Sequence, residues 1–175
     1  MEKKVALIIG AGDSLGSSVA RVFAKDGYII VAARRNGSEL DKLKKEIESK
    51  NGECHTFSLD ARKEEDVIKF IETTEQDVGP ISVAVYNIGA NIKYNILETT
   101  SRKYFKVWEM AAFGAFLMGR EVAKYMVSRK EGTIIFTGAT ASIRGKEGFA
   151  AFAGAKHAKR ALAQSMAREL GPKGI

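Results

Sequence analysis

The sequence predicts a doubly wound α/β domain built on a parallel sheet, in a Rossmann-like three-layer arrangement. Three observations carry that expectation. Short apolar runs alternate with segments of helical period along the whole chain, which implies right-handed crossovers and parallel strands. The runs are apolar at almost every position, as strands covered by helices on both faces must be. The first of them, Val5-Ala6-Leu7-Ile8-Ile9, leads straight into Gly10-Ala11-Gly12-Asp13-Ser14-Leu15-Gly16. A buried strand running through glycines into a helix builds a pyrophosphate-binding turn. The glycines let the backbone approach the phosphates, and the helix N-terminus offers free N–H groups and a positive dipole end. The same string also suits a tight turn with no ligand.

The elements follow in order. Residues 4–9 read as the first strand, and residues 14–26 as a helix with Leu15, Val19, Val22 and Phe23 spaced as one apolar stripe. Gly27 ends that helix, and residues 28–33 are the second strand. A helix over 38–50 carries Leu40, Leu43 and Ile47 and stops at Asn51-Gly52. Residues 53–58 form a third strand, and a helix over 62–77 puts Val67, Phe70 and Ile71 on one side. Gly79-Pro80 breaks it ahead of the fourth strand, Ile81-Ser82-Val83-Ala84-Val85. One long helix spans 101–128, a fifth strand spans 133–137, and the last helix runs over 149–170. No linker, repeat or low-complexity segment interrupts the pattern, so residues 1–175 are expected to form one domain.

Composition narrows the function classes. The single cysteine, Cys54, excludes an internal disulfide framework, and no Cys/His cluster has metal-ligand spacing. Nothing approaches the apolar length of a membrane span, and Met1-Glu2-Lys3-Lys4 passes into a strand with no apolar leader. No membrane partner is expected, and the cytoplasm is the expected compartment. The net charge of +7 is spread along helices among glutamates, as in Asp41-Lys42-Leu43-Lys44-Lys45-Glu46. That is the pattern of solvated helix faces, and no nucleic-acid partner is expected.

The chain resembles the short-chain dehydrogenase/reductase family along its whole length. The family's glycine motif, TGxxxGxG, is matched here by Gly10 and Gly16, with Ile9 and Ser14 at the Thr and middle-Gly positions. Leu59-Asp60-Ala61 follows the third strand, where family members use the Asp to hold the adenine amino group; Asp60 suits the cap of the next helix equally well. Asn87-Ile88-Gly89-Ala90 resembles the family's NNAG, which steadies the sheet and lines the cofactor ribose, although Asn-x-Gly is also an ordinary turn. The second strand ends in Ala33-Arg34-Arg35 with no carboxylate before Glu39. That resembles NADP-preferring members, because a guanidinium pairs with a 2′-phosphate in a fork where an acidic residue would hold the NAD ribose. Two solvated loop arginines are the alternative. The resemblance therefore implies NADP, or failing that NAD, held by Gly10, Gly12, Asp13, Ser14, Leu15, Gly16, Arg34, Arg35, Asp60, Ala61, Asn87, Gly89 and Lys156.

The family's chemistry is another matter. Its members use a Tyr as acid/base, a Lys four residues later, a Ser about thirteen residues earlier and an Asn on the preceding long helix. Here those positions read Phe152, Lys156, Ala139 and Ala111. Thr140 and Ser142 are hydroxyls close to the expected Ser, and Lys156 is itself an acid if burial lowers its pKa. Two functions stay open: an NADP(H)-dependent oxidoreductase acting on a small carbonyl or alcohol with little of the usual hydride transfer, and a non-catalytic nucleotide-binding or scaffold protein. Family members continue past this chain's last helix into further strands and a substrate lid. The fifth strand is thus expected at a sheet edge, which together with the aromatic long helix favours a homo-oligomer.

Overall fold

The computed structural model describes residues 4–175, so Met1, Glu2 and Lys3 and the reading of the extreme N-terminus lie outside the described residues. Five parallel strands run in the order β3-β2-β1-β4-β5: β1 Val5–Ile9, β2 Ile29–Arg34, β3 Cys54–Ser58, β4 Ile81–Tyr86 and β5 Thr133–Phe136. The intervening helices are α1 Leu15–Lys25, α2 Asp41–Glu48, α3 Glu64–Thr73, α4 Ser101–Trp108, α5 Gly114–Arg129 and α6 Ala150–Leu170. This is the doubly wound α/β fold that the sequence predicts.

Strand alternation divides the core in two. Val5, Leu7 and Ile9 point to one face of the sheet and pack with Val67 and Ile71 of α3 and Leu117, Val122 and Met126 of α5. Ala6 and Ile8 point to the other face and meet Ala20 of α1 and Leu43 and Ile47 of α2. A third cluster joins Val107, Ala111, Phe152 and Ala155, where α4 and the turn after it meet α6. Because both faces of β1 are covered, the strand is wholly buried and reads as a continuous apolar run.

Four details differ from the sequence-based expectation. The apolar stripe expected on α1 holds only in part: Val19 and Phe23 pack against the core, but Leu15 is 50% and Val22 59% exposed, while Gly16, Ser17 and Ala20 face the sheet. Small residues win there because a side chain at Gly16 would overlap the Gly10 carbonyl, so the helix start sits directly on the turn. The helix expected over 38–50 begins as a 3₁₀ turn, Gly37–Leu40. The helix expected over 62–77 is α3 followed by a π turn, Thr74–Val78, where the Thr74 hydroxyl donates to the Phe70 carbonyl at 2.8 Å. The long helix expected over 101–128 is split by a second π turn, Glu109–Phe113.

That second π turn serves Tyr86. The Tyr86 phenol, buried at the end of β4, donates to the Met110 carbonyl at 2.7 Å. Gly114, the first residue of α5, leaves room for it, since a methyl group there would overlap both the phenol and the Ala61 carbonyl. Gly114→Ala should therefore destabilise the fold by about 1–3 kcal/mol through overpacking. Urea unfolding measures this; an unchanged midpoint would show that the β4–α5 contact relaxes freely.

Candidate functional site

A groove of about 530 Å³ crosses the C-terminal ends of β1, β2, β3 and β4. It lies where the chain order reverses between β1 and β4, the place at which open α/β sheets hold ligands. Its floor is the glycine turn. Gly10 adopts φ +90°, a conformation that only glycine takes without strain, and its N–H donates to the Ala33 carbonyl at 2.8 Å. The Gly12 N–H donates to the Gly10 carbonyl at 2.8 Å, and Ser17 closes the turn with its N–H and hydroxyl, both donated to the Gly12 carbonyl. At Gly12 a side chain would meet nothing, so the backbone there faces open space. Ser14 precedes α1 and its side chain makes no capping bond, so of the first-turn amides only that of Ser17 is taken up, by the Gly12 carbonyl. Asp13, Ser14 and Leu15 are exposed, and Gly16 is buried behind them.

Asn87 locks this turn to the neighbouring strand. Its side-chain amide donates to the Gly10 carbonyl at 3.0 Å and its backbone N–H to the Ile9 carbonyl at 2.8 Å. The β2 end of the groove is charged. Arg34 pairs with Glu39 and, at 3.3 Å, with Asp13. Arg35 is exposed on the groove wall and has no carboxylate partner among the described residues. Asp60 is not a helix cap: Lys63 occupies that position, and both Asp60 oxygens accept from the Arg62 guanidinium at 2.8 and 2.6 Å. That bond holds the Asp60 carboxyl below its ordinary range. Ala61 lies buried beside it on the groove wall.

At the far end, Gly89 faces α6. A side chain on Gly89 would come within 3.5 Å of the Lys156 amine and 3.7 Å of the Phe152 ring, so amine and ring lie side by side at the groove's end. Phe152 is 8% exposed and packs against Ala111, itself fully buried in the π turn. Lys156 donates to the Thr137 carbonyl at 2.8 Å. Ala139 is extended and exposed, and its N–H donates to the Ser142 hydroxyl at 3.1 Å. Ser142 is buried in that bond, whereas Thr140 is exposed.

Sequence reasoning missed three residues. Arg62 is the partner of Asp60, and its position two residues on was the available signal. Tyr86 fixes the π turn. Lys159 is 2% exposed, donates to the Ile88 carbonyl at 3.2 Å and lies over the Tyr86 ring. Burial, and then the charge of Lys156, push the Lys159 amine down to about 7. It sits on the buried stripe of Phe152, Ala155 and Lys156, a helical spacing that was legible.

The family model for short chain dehydrogenases matches residues 4–175. The chain belongs to the short-chain dehydrogenase family. Among curated relatives, the 2,3-dihydro-2,3-dihydroxybenzoate dehydrogenase of Bacillus subtilis is 27% identical over 171 residues, covering 97% of this chain and 65% of its own length. A short-chain dehydrogenase from Rhodopseudomonas palustris superimposes with a TM-score of 0.95 at 50% identity, covering 99% of this chain and 81% of that one. An NAD⁺-bound xylitol dehydrogenase superimposes at 0.94 with 27% identity, covering 99% and 67%. The chain thus spans about two thirds of its curated relative's length. Among the described residues no helix is long and apolar enough to cross a membrane, and no cluster of metal-ligating side chains occurs. The short-chain dehydrogenase fold of this chain carries an open groove that runs to Gly89, beside which Phe152 and Lys156 lie.

Proposed function

We propose that this chain is the NADP(H)-binding domain of a short-chain dehydrogenase whose phenol-driven hydride transfer is absent. The observation that carries this reading is the pairing of an intact groove with Phe152 at its end. The groove residues fit a dinucleotide: the Gly12 backbone is unobstructed, the α1 amides are uncapped, and the α1 dipole favours a pyrophosphate. Gly10, Gly12, Asp13, Ser14, Leu15 and Gly16 form the phosphate turn, Asp60 and Ala61 flank the adenine, and Asn87, Gly89 and Lys156 flank the ribose beside the reacting ring.

The preference for NADP(H) rests on Arg35. Solved relatives hold either kind of cofactor, the xylitol dehydrogenase NAD⁺ and an alcohol dehydrogenase from Thermococcus sibiricus 5-hydroxy-NADP, and the groove wall decides between them. Arg34 is already neutralised by Glu39 and Asp13, so the free guanidinium of Arg35 is the group left for a 2′-phosphate. Lysine could not replace its planar fork.

The bound dinucleotide would supply or accept a hydride at the Gly89 end. The chain's own groups orient it there, but the phenyl ring of Phe152 neither gives nor takes a proton. Ala139 donates only its backbone N–H, and that is already bonded to Ser142. Loss of a positioned acid lowers the rate by about 10²–10⁴-fold, and loss of an oxyanion donor by a further 10²–10³-fold. A nucleotide-binding scaffold is the second reading. It is favoured by the aromatic ladder Phe105, Trp108, Phe113 and Phe116, exposed except at the half-buried Phe113, whose rings stack 5.9 to 6.2 Å apart from α4 across the π turn to α5. With Ile135 of β5 40% exposed on the sheet edge, that ladder supports a homo-oligomer. The expected location is the cytoplasm.

Arg35→Ala should weaken NADPH at least about tenfold, the value of one charge-assisted hydrogen bond, and leave NADH nearly unchanged. Equal losses in a fluorescence titration of both cofactors would make the arginine an ordinary surface residue. Carbonyl reduction by the unsubstituted protein should be barely measurable, and Phe152→Tyr combined with Ala139→Ser should raise it at least about a hundredfold. Fast turnover without those changes would overturn the reading. Light scattering at micromolar concentration should give at least a dimer mass, and Trp108→Lys should lower it; a monomer before substitution would remove the ladder from the argument.

A further inference from the structure

Lys156 and Lys159 are both on α6, three residues apart, and both are at least 96% buried. Lysine is rarely buried without a carboxylate. Here neither amine pairs with one among the described residues. Lys156 donates to the Thr137 carbonyl and Lys159 to the Ile88 carbonyl, and each lies over an aromatic ring, 5.6 Å from the centre of Phe152 and 5.4 Å from that of Tyr86.

The groups facing the pair from the surrounding elements bring no negative charge. From β4 comes Tyr86, whose phenol is held protonated by burial and is committed to Met110. The turn after β5 brings the hydroxyls of Thr140 and Ser142, and α4 brings the Tyr104 phenol against Gly154. Glu109 of the π turn acts on Arg62, and Glu121 of α5 is paired with Arg120 and Lys124. On α6 itself His157 is exposed, with Nδ1 2.9 Å from the Ala153 carbonyl.

Two adjacent ammonium groups in a buried, uncompensated site cannot both stay charged near neutrality, as two carboxylates in one site cannot. They titrate as a pair, in two macroscopic steps. We propose that Lys156 and Lys159 form a one-proton amine pair that replaces the missing phenol as the proton donor at the Gly89 end of the groove. This rests on the reading that the groove holds a reduced nicotinamide dinucleotide. Lys156, the member next to Gly89, carries the proton, and Lys159 is a positioning residue that stays neutral beside it. The direction of both shifts agrees: burial lowers each amine, the Lys156 charge lowers Lys159 further, and Lys159 in turn helps Lys156 to keep its proton.

The step balances. Hydride from the reduced dinucleotide forms the new C–H bond at a substrate carbonyl carbon, and the C=O π pair moves to oxygen. An N–H bond of the Lys156 ammonium breaks as the O–H bond forms, directly or through one water, leaving an alcohol and a neutral Lys156 amine that solvent reprotonates. The substrate class is a carbonyl compound reactive enough to be reduced by a donor weaker in positioning than a phenol.

The test begins on the unliganded protein. NMR titration of ¹³Cε-lysine should show one amine losing its proton near pH 7 and a second at higher pH but below the ordinary lysine range. Lys159→Met should abolish the lower step and move the remaining one downward. Two steps in the ordinary lysine range would overturn the pair. With NADPH and an activated aromatic aldehyde, the slow single-turnover rate should fall at high pH along the Lys156 step, and the limb should shift downward in Lys159→Met. A limb that does not move, or no reduction at any pH, would overturn the donor role. Failure of NADPH to bind would instead sink the groove reading and leave the lysine titration intact, so the two failures are distinguishable.

Discussion

The close approach between the β1–α1 turn and the end of β4 sets the rest of the structure. Gly16 sits against the Gly10 carbonyl, and the same carbonyl accepts from the Asn87 amide and the Gly12 N–H. One oxygen thus ties the first helix, the glycine turn and the fourth strand together. The three groups can converge only because side chains are missing at Gly10 and Gly16 and because β1 and β4 are parallel neighbours whose next connections leave in opposite directions. The groove is the space this convergence leaves open. Its polarity follows: uncapped amides at the α1 end, ion pairs at the β2 and β3 ends, and a largely apolar end where α6 crosses.

That apolar end suits the phenyl ring of Phe152 as packing. Phe152 keeps the volume of a tyrosine ring, and its neighbours Val107, Ala111 and Ala155 make a surface with no polar group left unsatisfied. Among the described residues no buried side-chain polar atom lacks a hydrogen-bond partner. Ala111 lies fully buried in the same cluster as the ring, whereas Ala139 is exposed. The lysines that remain satisfy their donors on backbone carbonyls and are disfavoured as cations by burial, so the site keeps titratable protons in a place where a folded core would ordinarily exclude them.

The α/β class, the parallel sheet and the glycine turn were legible because strands buried on both faces leave uninterrupted apolar runs and glycines mark the turn. What was not legible follows from the limits of periodicity. The stripe chosen for α1 assumed that bulk faces the core, yet the turn demands small residues there, and Leu15 and Val22 are turned out. The π turns at Thr74 and Glu109 shift a helical register by one residue, which leaves no mark in composition; the second follows from the Tyr86 phenol reaching the Met110 carbonyl, a contact across the fold. Phe152, Ala139 and Ala111 were singled out by their spacing, and the structure brings Phe152 and Ala111 into one cluster. Lys159 was not, because a lysine reads as a solvated residue unless its place on the buried face is checked against its neighbours.

The account depends most on the claim that the glycine turn receives a dinucleotide. Titrating NADPH into ¹⁵N-labelled protein and following the backbone amides tests this directly. Shifts concentrated at Gly12 through Gly16, at Arg35 and at Asn87, saturating with one equivalent bound, are the predicted result. No shifts up to millimolar NADPH, or shifts confined to residues away from the groove, would contradict it.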